Sequence, residues 1–320
     1  MKLGVFDPLF RSLELEPMLD KLVSLGLEAV EVSTGGYVGQ SHCSPAELLE
    51  DKEALKAFTA AFERRGLTIS ALSCHGNPLH PNPELAKGFH EDWRRSVLLA
   101  DKLGIETVVT FSGCPGGGPD DRTPNWITCA WPTDHAVALE WQWNERVIPY
   151  WLEESAFAEA HGVRVAIEMH PGFVVYNPEN MLRLRQVTRA NVGVNFDPSH
   201  LFWQGIDVVR SIRYLGETIY HVHAKDTHLD PVILPLKGVL DTVPYDRVAE
   251  RSWIFRSVGY GHGELEWRQL VSALRTVGYD GVLSIEHEDA LASVDEGLNK
   301  AVAVLKKAIL SEPVGKAWWA

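Results

Sequence analysis

Apolar residues along this chain switch repeatedly between two spacings. Short runs dense in Val, Ile and other β-formers occur at 2–6 (KLGVF), 28–33 (EAVEVS), 67–74 (LTISALSC) and 106–111 (ETVVTF). They recur at 163–168 (VRVAIE), 191–197 (NVGVNFD), 218–224 (TIYHVHA) and 281–286 (GVLSIE). Such runs have the length and composition of strands in a fully covered sheet. Between them the apolar residues return every three or four positions, as in Leu15, Met18, Leu19, Leu22 and Leu25, which predicts a helix over 14–25. Further helices are predicted over 45–65, 83–103, 135–161, 178–189, 206–215, 265–277 and 292–310. Ser44 supplies an N-cap for the second, Gly26, Gly66 and Gly104 close the first three, and Pro149 predicts an irregularity inside the fourth.

Strand and helix thus alternate along the whole chain, which indicates an α/β fold with a parallel, helix-covered sheet. No Gly-x-Gly-x-x-Gly follows the first strand, and an open sheet of this size would need two halves with a switch point. A closed (β/α)8 TIM barrel occupying residues 1–320 as a single domain is the economical reading. Two connections are too long and too rich in Gly and Pro to be ordinary turns: one after the fourth strand (112–134) and one after the seventh (227–262).

Charge narrows the classes of function. The formal net charge is −13 and no Lys/Arg run occurs, which argues against a nucleic-acid surface. No stretch of eighteen apolar residues would cross a membrane, and Asp7 and Pro8 interrupt the N-terminus where a signal peptide needs an apolar core. Cys43, Cys74, Cys114 and Cys129 form no CxxC pair or disulfide framework, so reduced thiols and a cytoplasmic location are expected.

The chemistry gathers at strand ends. In such barrels the active site lies at the C-terminal tips of the strands. The last four strands end in Glu168 (VAIEMHPG), Asp197 (NFDPSH), His223 (HVHAKD) and Glu286 (LSIEHED). Asp197 alone reads equally as the N-cap of a helix beginning at Pro198. Four ligand-type residues on successive tips are harder to explain as structural ion pairs, because a buried carboxylate without a partner is costly. Three carboxylates and one imidazole suit one divalent metal, Mn²⁺ foremost, with Mg²⁺ or Co²⁺ as alternatives. His75, at the tip of the third strand, is a candidate substrate contact. His221 and Lys225 share the side of the strand that carries His223; Lys225 is read as a substrate contact or as half of a salt bridge. His170 and His287 beside the glutamates are read as proton relays or as packed histidines.

The phrases IEMHP, NFDPSH, HVHAKD, VGYGHGELEW and SIEHED, in that order, resemble the xylose isomerase-like barrel superfamily. The likeness is to its sugar phosphate isomerase/epimerase branch, with ketose 3-epimerases and inosose dehydratases, and it spans nearly the whole chain. It implies that Glu168, Asp197, His223 and Glu286 bind one metal, that Glu168 and Glu286 are the catalytic acid/base pair on opposite faces of the substrate, and that His200 touches substrate oxygens. The implied reaction is proton abstraction α to a ketone through a metal-stabilised enediolate, giving a sugar isomerase or epimerase. The same intermediate can expel a β-leaving group, so a lyase acting on a 3-oxo-glycoside, or an inosose-type dehydratase, is the alternative.

Two departures bear on the substrate. The small ketose epimerases carry an arginine six residues after the metal histidine, where this chain has Leu229. The two long connections bring Trp126, Trp131, Trp253, Phe255 and Arg256, of which Trp126 and Arg256 are candidate substrate contacts. A small-molecule sugar or glycoside is therefore the expected partner, with no nucleic acid and no membrane, and with self-association left open. An abasic-site endonuclease would want more metals and a basic groove, and a barrel that only binds sugar would not need a full ligand set.

Overall fold

The computed structural model describes residues 1–320. Ten strands are present: β1 (Lys2–Phe6), β2 (Ala29–Gly36), β3 (Thr68–His75), β4 (Thr107–Phe111), β5 (Arg164–Glu168), β6 (Val192–Phe196), β7 (Ile219–Ala224), β8 (Asp226–Leu229), β9 (Trp253–Arg256) and β10 (Val282–Ile285). Eight of them close into a parallel barrel in the order β1-β10-β7-β6-β5-β4-β3-β2, with helices between successive strands. This is the (β/α)8 barrel expected from the alternation. No helix is long and apolar enough to cross a membrane, and all four cysteines are free.

Side-chain alternation explains where the core sits. Val165 and Ile167 of β5 point outward into an apolar cluster of 60 residues between sheet and helices. Their neighbours Ala166 and Glu168 point into the barrel, where the buried apolar cluster is only Ala71, Val109 and Ala166. Apart from the Phe6 and Phe111 rings near the mouth, much of the remaining interior is polar, with Glu31, Ser73, Asn195, His221, His223 and Ser284 all buried. Stability therefore resides mainly in the outer layer, and the inside of the barrel is left for chemistry.

Two predicted helices differ in detail. The stretch 45–65 is two helices, Pro45–Glu50 and Lys52–Glu63, because Asp51 is extended (φ −102°, ψ 108°) and caps the second, its carboxylate accepting from the Glu53 and Ala54 amides at 2.8 and 3.0 Å. The stretch 135–161 runs as Thr133–Trp141, a π-helical turn Gln142–Val147, and Ile148–Ala160. The wider turn precedes Pro149, which has no N–H to give it. It also directs Gln142 inward, where its side-chain Nε2 donates to the carbonyls of Gly116 (3.0 Å) and Asn125 (2.7 Å) and fastens the connection after β4.

The connection after β7 is not wholly irregular. Its ends pair as an antiparallel ribbon, β8 against β9, with Asp226 opposite Arg256 and Leu229 opposite Trp253. The intervening 23-residue gap between these strands obscures the hairpin in the sequence, since short turns are what mark one. Two buried carboxylates hold its base. Asp226 accepts from the Gly259, Gly261 and His262 amides at 3.0, 3.1 and 2.9 Å, and Asp289 accepts from the Ser257 amide at 2.8 Å and Arg256 Nε at 3.1 Å. Gly261 is required by close approach: a Cβ there would lie 2.1 Å from the Thr227 carbonyl oxygen.

Candidate active site at the barrel mouth

The C-terminal strand tips bring Glu168, Asp197, His223 and Glu286 together. One ligand-type atom from each lies within 4.8 Å of the other three. His223 Nδ1 is 3.0 Å from Glu286 Oε2, 3.3 Å from Glu168 Oε2 and 3.9 Å from Asp197 Oδ2. Asp197 does both things its position allowed. Its Oδ1 caps the helix Pro198–Trp203 by accepting from the Ser199 amide at 2.8 Å, while Oδ2 turns to the site. The cap fixes the carboxylate's rotation.

Four buried atoms here have no hydrogen-bond partner: Asp197 Oδ2, His223 Nδ1, Glu286 Oε2 and His200 Nε2. Buried polar atoms are rarely left unpaired, and the first three of these, together with Glu168, lie within 4.8 Å of one another as a cradle for a cation. Three carboxylates and an imidazole match a divalent ion of the Mg²⁺, Mn²⁺, Co²⁺ or Zn²⁺ kind. The residues present fit such a group.

Each member is held from behind. Glu168 Oε2 accepts from Asn195 Nδ2 at 2.9 Å and lies 3.0 Å from His75 Nε2, while its Oε1 lies 3.3 Å from His200 Nε2. His200, on the turn after Asp197, is also 3.3 Å from Asp197 Oδ2, and its ring packs 4.1 Å from that of His170. Lys225 is buried with Nζ 3.2 Å from Glu286 Oε1 and 2.6 Å from Glu288, and 4.2 Å above the Phe255 ring. Of its two readings, the geometry displays the salt bridge, made to a site carboxylate.

Electrostatics follow this wiring. Burial raises the Glu168 pKa, but the His223 charge, the close approach of His200 and the hydrogen bond with His75 outweigh it and hold the carboxyl well below its usual range. Burial likewise opposes ionisation of Glu286, and Lys225 and His223 overcome it. Asp197 is shifted upward, by burial first and then by Glu168 and Glu286, against the pull of His200 and Lys225. Burial drives His170 down to about 3 and His221 down to about 4, so both rings are neutral.

Several residues of the site carry no sequence motif. Glu31 of β2 is fully buried inside the barrel and accepts from His223 Nε2 (2.9 and 3.0 Å), Ser284 Oγ (2.6 Å) and Ser73 Oγ. Burial opposes its ionisation, but His223 and His221 bring its pKa down to about 2. Asn195 links Glu168 to His221, whose Nδ1 lies 2.9 Å from Asn195 Oδ1. A charged residue in an otherwise apolar buried-strand run, AVEVS, and an amide in VGVNF, were the available signals.

The long connections supply walls. A cavity of about 370 Å³ is lined by Trp126, His170, His200, Trp203, Tyr245 and Trp253 among others, with no Lys or Arg in its wall. Trp203 and Trp253 stack face to face, with centroids 4.7 Å apart. A second cavity of about 280 Å³ reaches Glu286 from the side of Phe6, Arg11 and Tyr37. Trp126 lines the first cavity as expected of a wall residue. Arg256 does not, because strand alternation aims Phe255 at His200 and Lys225 and leaves Arg256 on the opposite face, paired to Asp289. A roomier hollow of about 510 Å³ opens among Arg164, Arg185, Tyr220 and Asp280, where β5, β7 and β10 begin, far from any ligand cluster.

Comparison with known proteins agrees with this architecture. A family profile described as "Xylose isomerase-like TIM barrel" matches residues 19–308. The uncharacterized protein YfiH of Bacillus subtilis (strain 168) is 39% identical over 312 residues, 97% of this chain and 99% of that protein. Inosose dehydratase of Clostridium perfringens (strain 13 / Type A) is 26% identical over 157 residues, covering 48% of this chain and 50% of its own. The solved D-psicose 3-epimerase with D-tagatose from Clostridium cellulolyticum H10 has a TM-score of 0.62 at 16% identity, covering 96% of this chain and 98% of that one. At that identity the likeness is one of fold.

Proposed function

Because the chain belongs to the xylose isomerase-like TIM barrel family, and its strand tips converge as they do, we propose that it is a divalent-metal-dependent enzyme that moves a proton α to the ketone of a sugar or related polyol. The observation that carries this reading is the convergence of Glu168, Asp197, His223 and Glu286 within 4.8 Å, with Asp197 Oδ2, His223 Nδ1 and Glu286 Oε2 buried and partnerless. Glu168, Asp197, His223 and Glu286 would hold the ion, Mn²⁺ in the first instance. When bound, a divalent ion supplies Lewis-acid stabilisation of the charge that builds on substrate oxygens as the proton leaves.

The chain's own groups divide the remaining work. Glu168 and Glu286 sit on β5 and just beyond β10, separated around the rim by β6 and β7. A substrate lying between them meets a carboxylate on each face, so one can take a proton and the other return it, inverting the carbon. Glu168 is braced by His75, Asn195 and His200, which fixes its geometry. Glu286 is tied through Oε1 to Lys225, which keeps it ionised and ready to accept. His200 has its Nε2 available for a substrate oxygen. The aromatic-walled cavity beside His200 holds and desolvates the distal part of the substrate, and with no cation in its wall it suits an uncharged group rather than a phosphate.

Epimerisation or isomerisation is the first reading. Elimination is favoured by one observation, the extra aromatic cavity, which leaves room for a leaving group such as the aglycone of a 3-oxo-glycoside. The inosose dehydratase among the relatives is an elimination enzyme by its name, and the D-psicose 3-epimerase by its name inverts a carbon. Incubation of the Mn²⁺-loaded protein with ketohexoses, inososes and 3-oxo-glycosides in D₂O tests the common step. Solvent deuterium is expected at the α carbon of recovered substrate or product. Complete transfer of a labelled substrate hydrogen without solvent exchange would replace proton transfer by hydride transfer.

A further inference from the structure

We infer that Glu31 is the positioning residue for His223: its buried carboxylate holds Nε2–H and so commits Nδ1 to the ion. The inference rests on reading the four strand-tip groups as an ion site, and concerns a residue outside that set. Glu31 is on β2, half a barrel away in sequence and on the far side of His223 from Glu168, Asp197 and Glu286. Both of its oxygens lie within 3.0 Å of His223 Nε2. An ionised carboxylate can only accept, so the hydrogen on that contact belongs to Nε2. In the neutral form that binds a cation, the ring then has its lone pair on Nδ1, the atom that faces the three other groups and has no partner of its own.

On the Nε2 side of the ring only Glu31 makes this choice, while the carboxylates facing Nδ1 are those assigned to the ion. The Phe6 ring stacks on His223 at 5.6 Å, which fixes the plane of the ring but is indifferent to which nitrogen carries hydrogen. Ser73 and Ser284 hydroxyls donate to Glu31 and hold its carboxylate in place, one from β3 and one from β10. No Lys or Arg reaches Glu31; its only charge-bearing neighbours are His223 and, at 3.8 Å, His221. A carboxylate at this depth without a permanent counter-charge is costly as a purely structural device. It is explained if the ring between it and the site passes its charge on to a cation, since a carboxylate behind a ligating histidine both orients the ring and increases its basicity.

The layer is continuous. Asn195 gives its Nδ2 hydrogens to Glu168, so its Oδ1 must accept, and His221 therefore carries hydrogen on Nδ1. Two of the four ligand-type groups, Glu168 and His223, are thus set by polar residues one layer deeper in the barrel.

The test uses the full chain loaded with Zn²⁺ alone, as a diamagnetic probe, and with Co²⁺ alone for affinity. In ¹⁵N-histidine NMR of the Zn²⁺-loaded protein, one ring should keep its Nε2 proton and show a coordinated Nδ1, and Glu31→Gln should shift that Nε2 proton. Competition against a chelating dye should show Co²⁺ bound about 10- to 100-fold more weakly by Glu31→Gln. Glu31→Asp, which withdraws the carboxylate by one methylene, should fall between. Coordination through Nε2 in the wild-type protein overturns the proposal whether or not any variant folds. So does wild-type affinity in a folded Glu31→Gln protein. A wild-type protein that binds neither ion overturns the ion-site reading itself, and the proposal with it.

Discussion

Asp226 offers a prediction that can be worked from distances. The residue sits one position past Lys225, where a motif containing His, Lys and Asp invites a catalytic reading. The structure gives it another job, because three backbone amides, those of Gly259, Gly261 and His262, converge on Oδ2 at 3.0, 3.1 and 2.9 Å. Oδ1 accepts from the Thr227 amide and from His262 Nδ1, both at 2.8 Å. Asp226→Asn keeps the shape and removes the charge. Hydrogen bonds to charged groups contribute about 1 kcal/mol more than neutral ones, so the three amides on Oδ2 lose together about 3 kcal/mol. The new amide hydrogens also face the Thr227 N–H, which the carboxylate had satisfied. The loss is local, confined to the turn 257–262 at the foot of the β8–β9 ribbon. Since 1.4 kcal/mol is a factor of ten, amide hydrogen exchange of Gly259, Gly261 and His262 should accelerate by about two decades, with exchange in β5 and β6 unchanged. Ion affinity should be retained. Exchange at those three amides equal to that of the wild-type protein would refute the anchoring role, and abolished ion binding with an intact turn would assign Asp226 to the ion site instead.

Other perturbations separate the parts of the site. Glu168→Gln removes a proposed ion ligand and should weaken Co²⁺ binding by more than the about 10- to 100-fold expected for losing an outer partner, measured by dye competition; unchanged affinity would remove Glu168 from the set. Lys225→Met takes away the cation that most lowers the Glu286 pKa, so the pH below which the ion is lost should move upward, in titrations of Co²⁺ absorbance. Trp126→Ala opens the wall of the 370 Å³ cavity and should raise KM several-fold with little change in ion affinity; the reverse pattern would place Trp126 with the ligands. His42 lies 2.7 Å from Asp7 Oδ2, and although burial opposes its protonation, the Asp7 hydrogen bond and charge raise its pKa above the ordinary value. Its contribution to stability is therefore complete below about pH 6.5 and is lost as pH rises through the raised folded value. His42→Asn should flatten that fall in Tm, and a wild-type Tm that rises over the same range would contradict the assignment.

What was legible in the sequence follows the physics of each signal. Strands buried on both faces write themselves as apolar runs with polar residues at their C-terminal ends, which makes Glu168, Asp197 and Glu286 legible, and His223 is legible one residue before the end of its strand. Glu31 and Asn195 did not, because each lies within a run and points into the barrel, a direction that a one-dimensional pattern cannot distinguish from a tolerated polar residue. Capping residues were legible where they opened a helix, as at Ser44, and hidden at Asp51, where a cap interrupts what apolar spacing alone makes continuous. Arg256 was drawn toward the site by its neighbours in sequence; only pairing with β8 reveals that Phe255 takes the inner face. The ribbon itself was hidden because its strands are four residues each and pair across a long insertion.

The polar interior also explains why one ion is a more natural completion of this barrel than a further salt bridge. Glu31, Glu168, Asp197 and Glu286 put four carboxylates in and just above the sheet, and Lys225 is the one permanent cation that touches them. The other partners, His75, His200 and His223, are imidazoles, whose charge depends on a proton. A lysine or arginine in the centre would neutralise the carboxylates, but it would fill the space a substrate needs and tie up the oxygens that must accept a proton. A small divalent cation neutralises the same charge in a smaller volume and leaves coordination positions facing the two cavities. Around it the wiring is unequal: Glu168 is braced by His75, Asn195 and His200, whereas Glu286 is held by Lys225 and His223 and borders the cavity beside Phe6 and Arg11. Two carboxylates of the same chemistry are thereby placed in different surroundings, which suits the proposed division of acid/base work between them.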